Sequence, residues 1–200
     1  MDYRKRFRVK PGKRLKLSDI DPCYKGQQVS ESHAHADTER FRAKLSRQQY
    51  LLYAEKKRSL LIVLQGLDSA GKDGTVSHMM RAMNPQGTTV TPFKVPTASE
   101  LDHDFLWRVH PHVPAKGAVA VFNRSHYEDV LVARIHKLVP REVWSERYKL
   151  INDFEKLLRQ QNDTSIIKFF LHISKEERLE RFKQRLDDPA RNWKISETDA

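Results

Sequence analysis

The segment Gly66-Leu-Asp-Ser-Ala-Gly71-Lys72 spaces two glycines and a lysine as G-x-x-x-x-G-K. Glycine permits a tight turn whose backbone N–H groups converge on an anion, and a following helix adds the positive end of its dipole. The chemistry that this spacing serves is a grip on phosphate. Gly66, Ser69, Ala70 and Gly71 form the cradle, and Lys72 brings a full charge to the bridging and terminal oxygens. After the lysine, where Ser or Thr ordinarily holds Mg²⁺, stands Asp73, followed by Gly74 and Thr75. Asp68 places a second carboxylate inside the loop. Carboxylates beside phosphates repel them unless a cation intervenes, so Asp68 reads as a Mg²⁺ ligand, with Asp73 assisting. Two plainer roles stay open: Asp68 as a turn-stabilising side chain, and Asp73 as a charge placed at a helix N-terminus.

A second group follows an apolar run: Asn123-Arg-Ser-His-Tyr-Glu-Asp129. Asn123 occupies the strand end where an acid commonly serves Mg²⁺, and Arg124 would project near the same phosphates. Ser125 and Glu128 have the S-x-x-E spacing of a capping box. The other role for Glu128 is to meet a nucleotide or a second cation. Arg134 stands among Val130, Leu131 and Ile135, open either to an anionic partner or to snorkelling. A third group, Arg178, Arg181 and Arg185, falls on one helical face. Guanidinium groups in a row suit phosphate oxygens; interleaved with Glu176, Glu177 and Glu180, they also suit a solvated helix.

The elements that must hold these groups alternate. Leu60–Leu64, Thr88–Val95, Gly117–Phe122 and Ser165–Ile173 read as strands. Helices are expected over 37–58, 74–83, 97–110 (capped by Ser99), 126–138, 141–160, and from the Ser174 cap to about Leu186. Alternation of this kind implies an α/β fold, three layers α/β/α around a central parallel sheet, with ligands at the carboxyl ends of the strands. Residues 1–40 read as an irregular basic arm and 41–200 as one domain. No repeat or low-complexity tract interrupts the chain.

The formal net charge of +11 speaks of polyanionic partners rather than of fold. Cys23 is the single cysteine, so no internal disulfide forms. The N-terminus lacks the apolar core of a secretory signal, and no apolar run is long enough to span a bilayer. The expectation is a cytoplasmic protein. The charge by itself leaves nucleic acid, an anionic membrane surface or another polyanion open as partners.

GLDSAGKDGT, FKVPTASELDHDFLWRVH, FNRSHYEDVLVARIH and RFKQRLDDPARNWKIS, in that order, resemble the family-2 polyphosphate kinases from about residue 40 onward. Asn123 and Glu128 resemble most the subgroup acting on both nucleoside mono- and diphosphates. The resemblance implies a P-loop kinase fold with a helical lid near 174–186. It implies Mg²⁺-dependent, reversible transfer of a phosphoryl group from inorganic polyphosphate to AMP and ADP, adenine and guanine nucleotides being the acceptor class. In it Asp68 and Lys72 handle Mg²⁺ and the transferred group, and Arg124 and Arg134 contact polyphosphate. Asn123 and Glu128 serve the nucleotide, Lys94 faces nucleotide phosphates, and Arg178, Arg181 and Arg185 lie on the lid. It further implies a homodimer or homotetramer, helices of the family beyond Ala200, and neither membrane nor nucleic acid as a partner. An ATP-dependent nucleoside monophosphate kinase, and a non-enzymatic polyanion- or nucleic-acid-binding module, are the alternatives.

Overall fold

The computed structural model describes residues 3–24, 30–190 and 192. Residues 1–2 and 25–29 of the expected arm, and 193–200 with most of the NWKIS segment, lie outside that description. In chain order the helices and strands are α1 (Tyr3–Phe7), α2 (Glu31–Glu55), β1 (Ser59–Gly66), α3 (Lys72–Met80), β2 (Thr88–Pro92) and α4 (Ala98–Leu101), then β3 (Val119–Asn123), α5 (Glu128–Ile135), α6 (Arg141–Asn162), β4 (Thr164–Leu171) and α7 (Lys175–Asp187). The chain divides into two compact units.

The larger unit, residues 38–66 and 71–171, carries the sheet. Its strands run in the order β2-β3-β1-β4, all parallel. The central strand β1 is apolar at successive positions because both of its faces are covered. Leu61 and Val63 pack with Phe93, Val109, Ala120, Phe122, and Phe154 and Leu158 of α6. Ile62 and Leu64, on the opposite face, pack with Met83, Val119 and Val121, and with Leu45 and Leu52 of α2 and Val76 and Met79 of α3. These are the expected three layers. Pro92, which cannot donate to a ladder, closes the edge strand β2, where that loss is tolerated. Gly87, entering β2, is closely packed: a Cβ there would lie 2.6 Å from Gln49 Nε2 and 2.9 Å from the Tyr53 ring, so those side chains would have to shift.

Three expectations are corrected. The helix read over 37–58 begins at Glu31, with Ser30 Oγ accepting from His33 N at 3.3 Å, so residues 31–40 are helical rather than irregular. Residues 3–7 are helical as well. The helix expected over 97–110 is one turn, and its N-cap is Thr97, not Ser99. Thr97 and Glu100 close a reciprocal capping box, after which Asp104 Oδ1 accepts from Leu106 N at 2.9 Å and turns the backbone away from a helix.

The smaller unit comprises residues 1–37, 67–70 and 172–200, of which the described part includes α1, the tip of the glycine loop and α7. Phe7 and Arg6 meet the Tyr24 ring, the guanidinium 4.0 Å from its centroid. Ser174 caps α7 as expected, accepting from Glu177 N at 3.1 Å. Among the described residues, no helix is long and apolar enough to cross a membrane.

Candidate functional site

Parallel pairing sets Leu64 of β1 beside Asn123 of β3, so the two chain segments that leave these strands depart from neighbouring carboxyl ends. The first is the glycine loop. Gly71 precedes α3 at φ 94°, a left-handed conformation that costs a glycine little. The turn brings the buried Lys72 back along the loop, where its Nζ donates to Gly66 O at 2.8 Å. Thr75 Oγ1 donates to Gly71 O at 3.0 Å and closes the first turn of α3. Gly74 sits in that turn with open space where a Cβ would be.

The second segment begins at Asn123, whose Nδ2 donates to Asp73 Oδ1 at 2.8 Å. Asp73 is thus bound to the β3 end as well as standing in the first turn of α3. The next residue, Arg124, has φ 62°, unusual for a side chain with a Cβ, and its N–H donates to Leu64 O at 3.0 Å. Backbone held this way by its surroundings clusters at functional sites. Arg124 Nη1 lies 3.4 Å from Glu128 Oε2.

The capping box expected of Ser125 and Glu128 does not form. Helix α5 begins at Glu128, so Ser125 stands outside the capping position, and Ser125 Oγ accepts from Tyr127 N at 3.1 Å instead. Buried Gln65, at the end of β1, completes the arrangement. With the amide orientation assigned from its neighbours, its nitrogen donates to Glu128 Oε1 at 2.9 Å and its oxygen accepts from Ser125 N at 3.2 Å and Ser125 Oγ at 2.8 Å. The opposite amide orientation would set oxygen against a carboxylate. Glu128 is therefore held by Gln65 and Arg124 and not spent on its own helix.

The remaining expected residues are more dispersed. Lys94 is exposed, and its carbonyl accepts from Arg108 Nη1 at 2.9 Å. Arg134 is exposed, 5.2 Å over the Trp144 ring, an aromatic rather than an acidic neighbour. Asp68 lies exposed in the loop tip. Within the smaller unit, Arg181 Nη1 donates to Ser69 O at 3.3 Å while its Nε donates to Glu177 Oε1 at 2.7 Å. Ala70 N closes the tip turn on Leu67 O. Arg178 is exposed and Arg185 half-buried on the same helix.

Behind the site lies a polar cluster that motif reading passes over. Glu155 of α6 accepts from Tyr127 Oη at 2.8 Å and from Lys168 Nζ at 2.7 Å, and His126 Nε2 lies 3.4 Å away. Burial pushes the Glu155 carboxyl up, but the hydrogen bonds from His126, Lys168 and Tyr127 outweigh it and hold it at about 2. Burial and the Glu155 charge raise Tyr127. Arg108, also buried, ties the Lys94 carbonyl to Asp129 at 3.5 Å. Burial raises the Asp129 carboxyl against the opposing pull of Arg108 and Arg147. The sequence carries a signal for the cluster. Glu155 interrupts the apolar face of Ile151, Phe154 and Leu158, and Lys168 interrupts an apolar strand; each lone charge is the other's partner.

The family model of polyphosphate kinase 2 (PPK2) matches residues 28–200. An AMP/ADP-polyphosphate phosphotransferase of Meiothermus ruber is 46% identical over 195 residues, covering 96% of this chain and 72% of its own. An ADP-polyphosphate phosphotransferase of Rhodopseudomonas palustris is 41% identical, covering 98% and 71% respectively. The crystal structure of polyphosphate kinase 2 from Arthrobacter aurescens superposes with a TM-score of 0.88 at 44% identity, over 96% of this chain and 69% of that one. With a glycine loop between β1 and α3, a parallel sheet and this match along nearly its whole length, the chain belongs to the polyphosphate kinase 2 family.

Proposed function

We propose that this chain transfers a phosphoryl group reversibly from inorganic polyphosphate to AMP and ADP. The observation that carries the reading is the joining of the glycine loop to the β3 end, where Asn123 binds Asp73 beside Lys72. That junction presents a buried ammonium, a constrained Arg124 and a Glu128 held by neighbours outside its own helix. Relatives named for AMP/ADP and ADP acceptors support the substrate class.

In this reading Lys72 and Arg124 bind the oxygens of the donor's terminal phosphates, with the backbone of Gly66 to Thr75 as cradle. Phosphoryl transfer passes through a loose transition state whose charge spreads over the outer oxygens, so positioned cations supply most of the catalysis. Arg178, Arg181 and Arg185 of α7 add to that charge as lid residues. Asn123 and Glu128 orient the acceptor nucleotide, Lys94 faces the nucleotide phosphates, and Arg134 contacts the polyphosphate. The acceptor is itself an ionised phosphate, so no strong general base is required.

The donor set of the loop fits Mg²⁺, which takes one or two carboxylates and completes its shell with phosphate oxygens and water. Asp68 would hold it, with Asp73 assisting. Bound there, such an ion would supply neutralisation of phosphate charge. We propose a homodimer or homotetramer as the working form. Assays with polyphosphate or ATP as sole donor test the reading: turnover with ATP and none with polyphosphate would replace it with an ordinary monophosphate kinase.

A further inference from the structure

The densest run of cations with no part in the site above lies in the first residues of the chain. Eight Lys and Arg stand between Arg4 and Lys16 without one intervening acid. All eight are exposed. The seven from Lys5 to Lys16 have no carboxylate partner among the described residues. In α7, by contrast, cations alternate with acids, and Arg181 is paired with Glu177.

The arm is also anchored. Phe7 stacks edge-on against Tyr24 at 5.7 Å, and Arg6 lies over the same ring. Beyond Phe7 the backbone runs without regular structure to a turn at Pro11–Gly12 and a 3-10 turn at Leu17–Asp19. Arm, loop tip Leu67–Ala70 and helix α7 belong to one compact unit, in which Arg181 already reaches Ser69 O. Uncompensated like charges cost self-repulsion unless a counter-charge is supplied. A mononucleotide is too short to neutralise such a row, whereas a linear polyanion can lie along it.

We infer that the arm from Lys5 to Lys16 is a second polyphosphate-binding segment. It takes up part of a long donor that the glycine loop does not hold, and so favours long donors over short ones. The inference rests on the donor class proposed above. It predicts that affinity gained on the arm appears in KM for long chains and leaves the chemical step alone.

The test is the triple variant Lys10→Gln, Lys13→Gln, Arg14→Gln, all exposed and outside the core. Initial rates are measured with ADP and either long-chain polyphosphate or a short oligophosphate, and binding of labelled long-chain polyphosphate is measured without nucleotide. Expected are a KM for long chains raised about tenfold at low salt, an unchanged short-chain KM and kcat, and a salt slope of long-chain binding reduced by about two. Long-chain KM and binding equal to the native chain's would overturn the inference, as would an equal rise for both donors. Tighter arm-dependent binding of single-stranded RNA than of polyphosphate would overturn it in favour of a nucleic-acid arm. If the native chain turns over no polyphosphate of any length, the donor reading falls by itself. The binding arm then still decides this inference: weaker binding by the variant supports it, and equal binding overturns it.

Discussion

The amide of Asn123 donates to Asp73 Oδ1 at 2.8 Å, linking the end of β3 to the first turn of the helix that follows the glycine loop. Aspartate in that place fixes the orientation of α3 relative to Arg124. Asn123→Ala removes the donor and with it the bond that ties Asp73 to the end of β3. Steady-state rates should show kcat with ADP lowered about tenfold, equivalent to about 1.4 kcal/mol of positioning. An unchanged kcat would make the bond incidental.

Lys72 is buried, with its ammonium on the Gly66 carbonyl. Lys72→Met keeps the length and removes the charge. The melting temperature should move little, since the hydrogen bond to the Gly66 carbonyl is exchanged for apolar packing of a side chain of the same length. The ratio kcat/KM for polyphosphate should fall by about two to three orders of magnitude, the loss seen when one preorganised donor to a developing charge is removed. Circular dichroism melts beside kinetics separate the two effects.

Gly74 faces open space where a Cβ would be, and its backbone is helical. On folding grounds alone Gly74→Ala should stabilise the chain by about 0.5 kcal/mol, because alanine loses less backbone freedom in a helix. If donor phosphate uses that space, the same methyl group should raise the KM for polyphosphate several-fold. A thermal shift upward with a KM shift upward is the expected pair.

Glu155 is held at about 2 against an ordinary value of 4.5, so its folded value is depressed. Its contribution to stability is therefore complete above pH 4.5 and lost as pH falls towards about 2. Near neutral pH, Glu155→Gln should cost about 2 kcal/mol, because Lys168 and Tyr127 lose a charged acceptor. Urea titrations should show native and variant chains converging as the pH drops through that window. A constant gap at all pH values would mean the carboxylate's charge is irrelevant.

How far the sequence reached depended on whether a residue's role was local. The loop and the apolar run of β1 are local patterns with a mechanism, and both stand as expected. The cap of α7 is equally local, one serine and the amide three residues on. Reading failed where a side chain had a local option and a distant one. Ser125 and Glu128 fit a capping box by spacing, yet Gln65, a distant residue, binds them both. Likewise Ser99 could have capped a helix, but Thr97 paired with Glu100 first, and the helix closes at Leu101, ahead of the turn that Asp104 makes. Arg108 sits inside a matched segment without a local role, and Glu155 shows only as a lone charge on an apolar face; the roles of both come from partners distant in the chain.

Conversion of AMP to ATP by the purified chain, with polyphosphate and Mg²⁺ and no nucleoside triphosphate added, tests the central claim most directly. The account predicts that ADP appears first and ATP after it, both abolished by Lys72→Met. Phosphorylation of AMP by added ATP, with no product from polyphosphate, would contradict it.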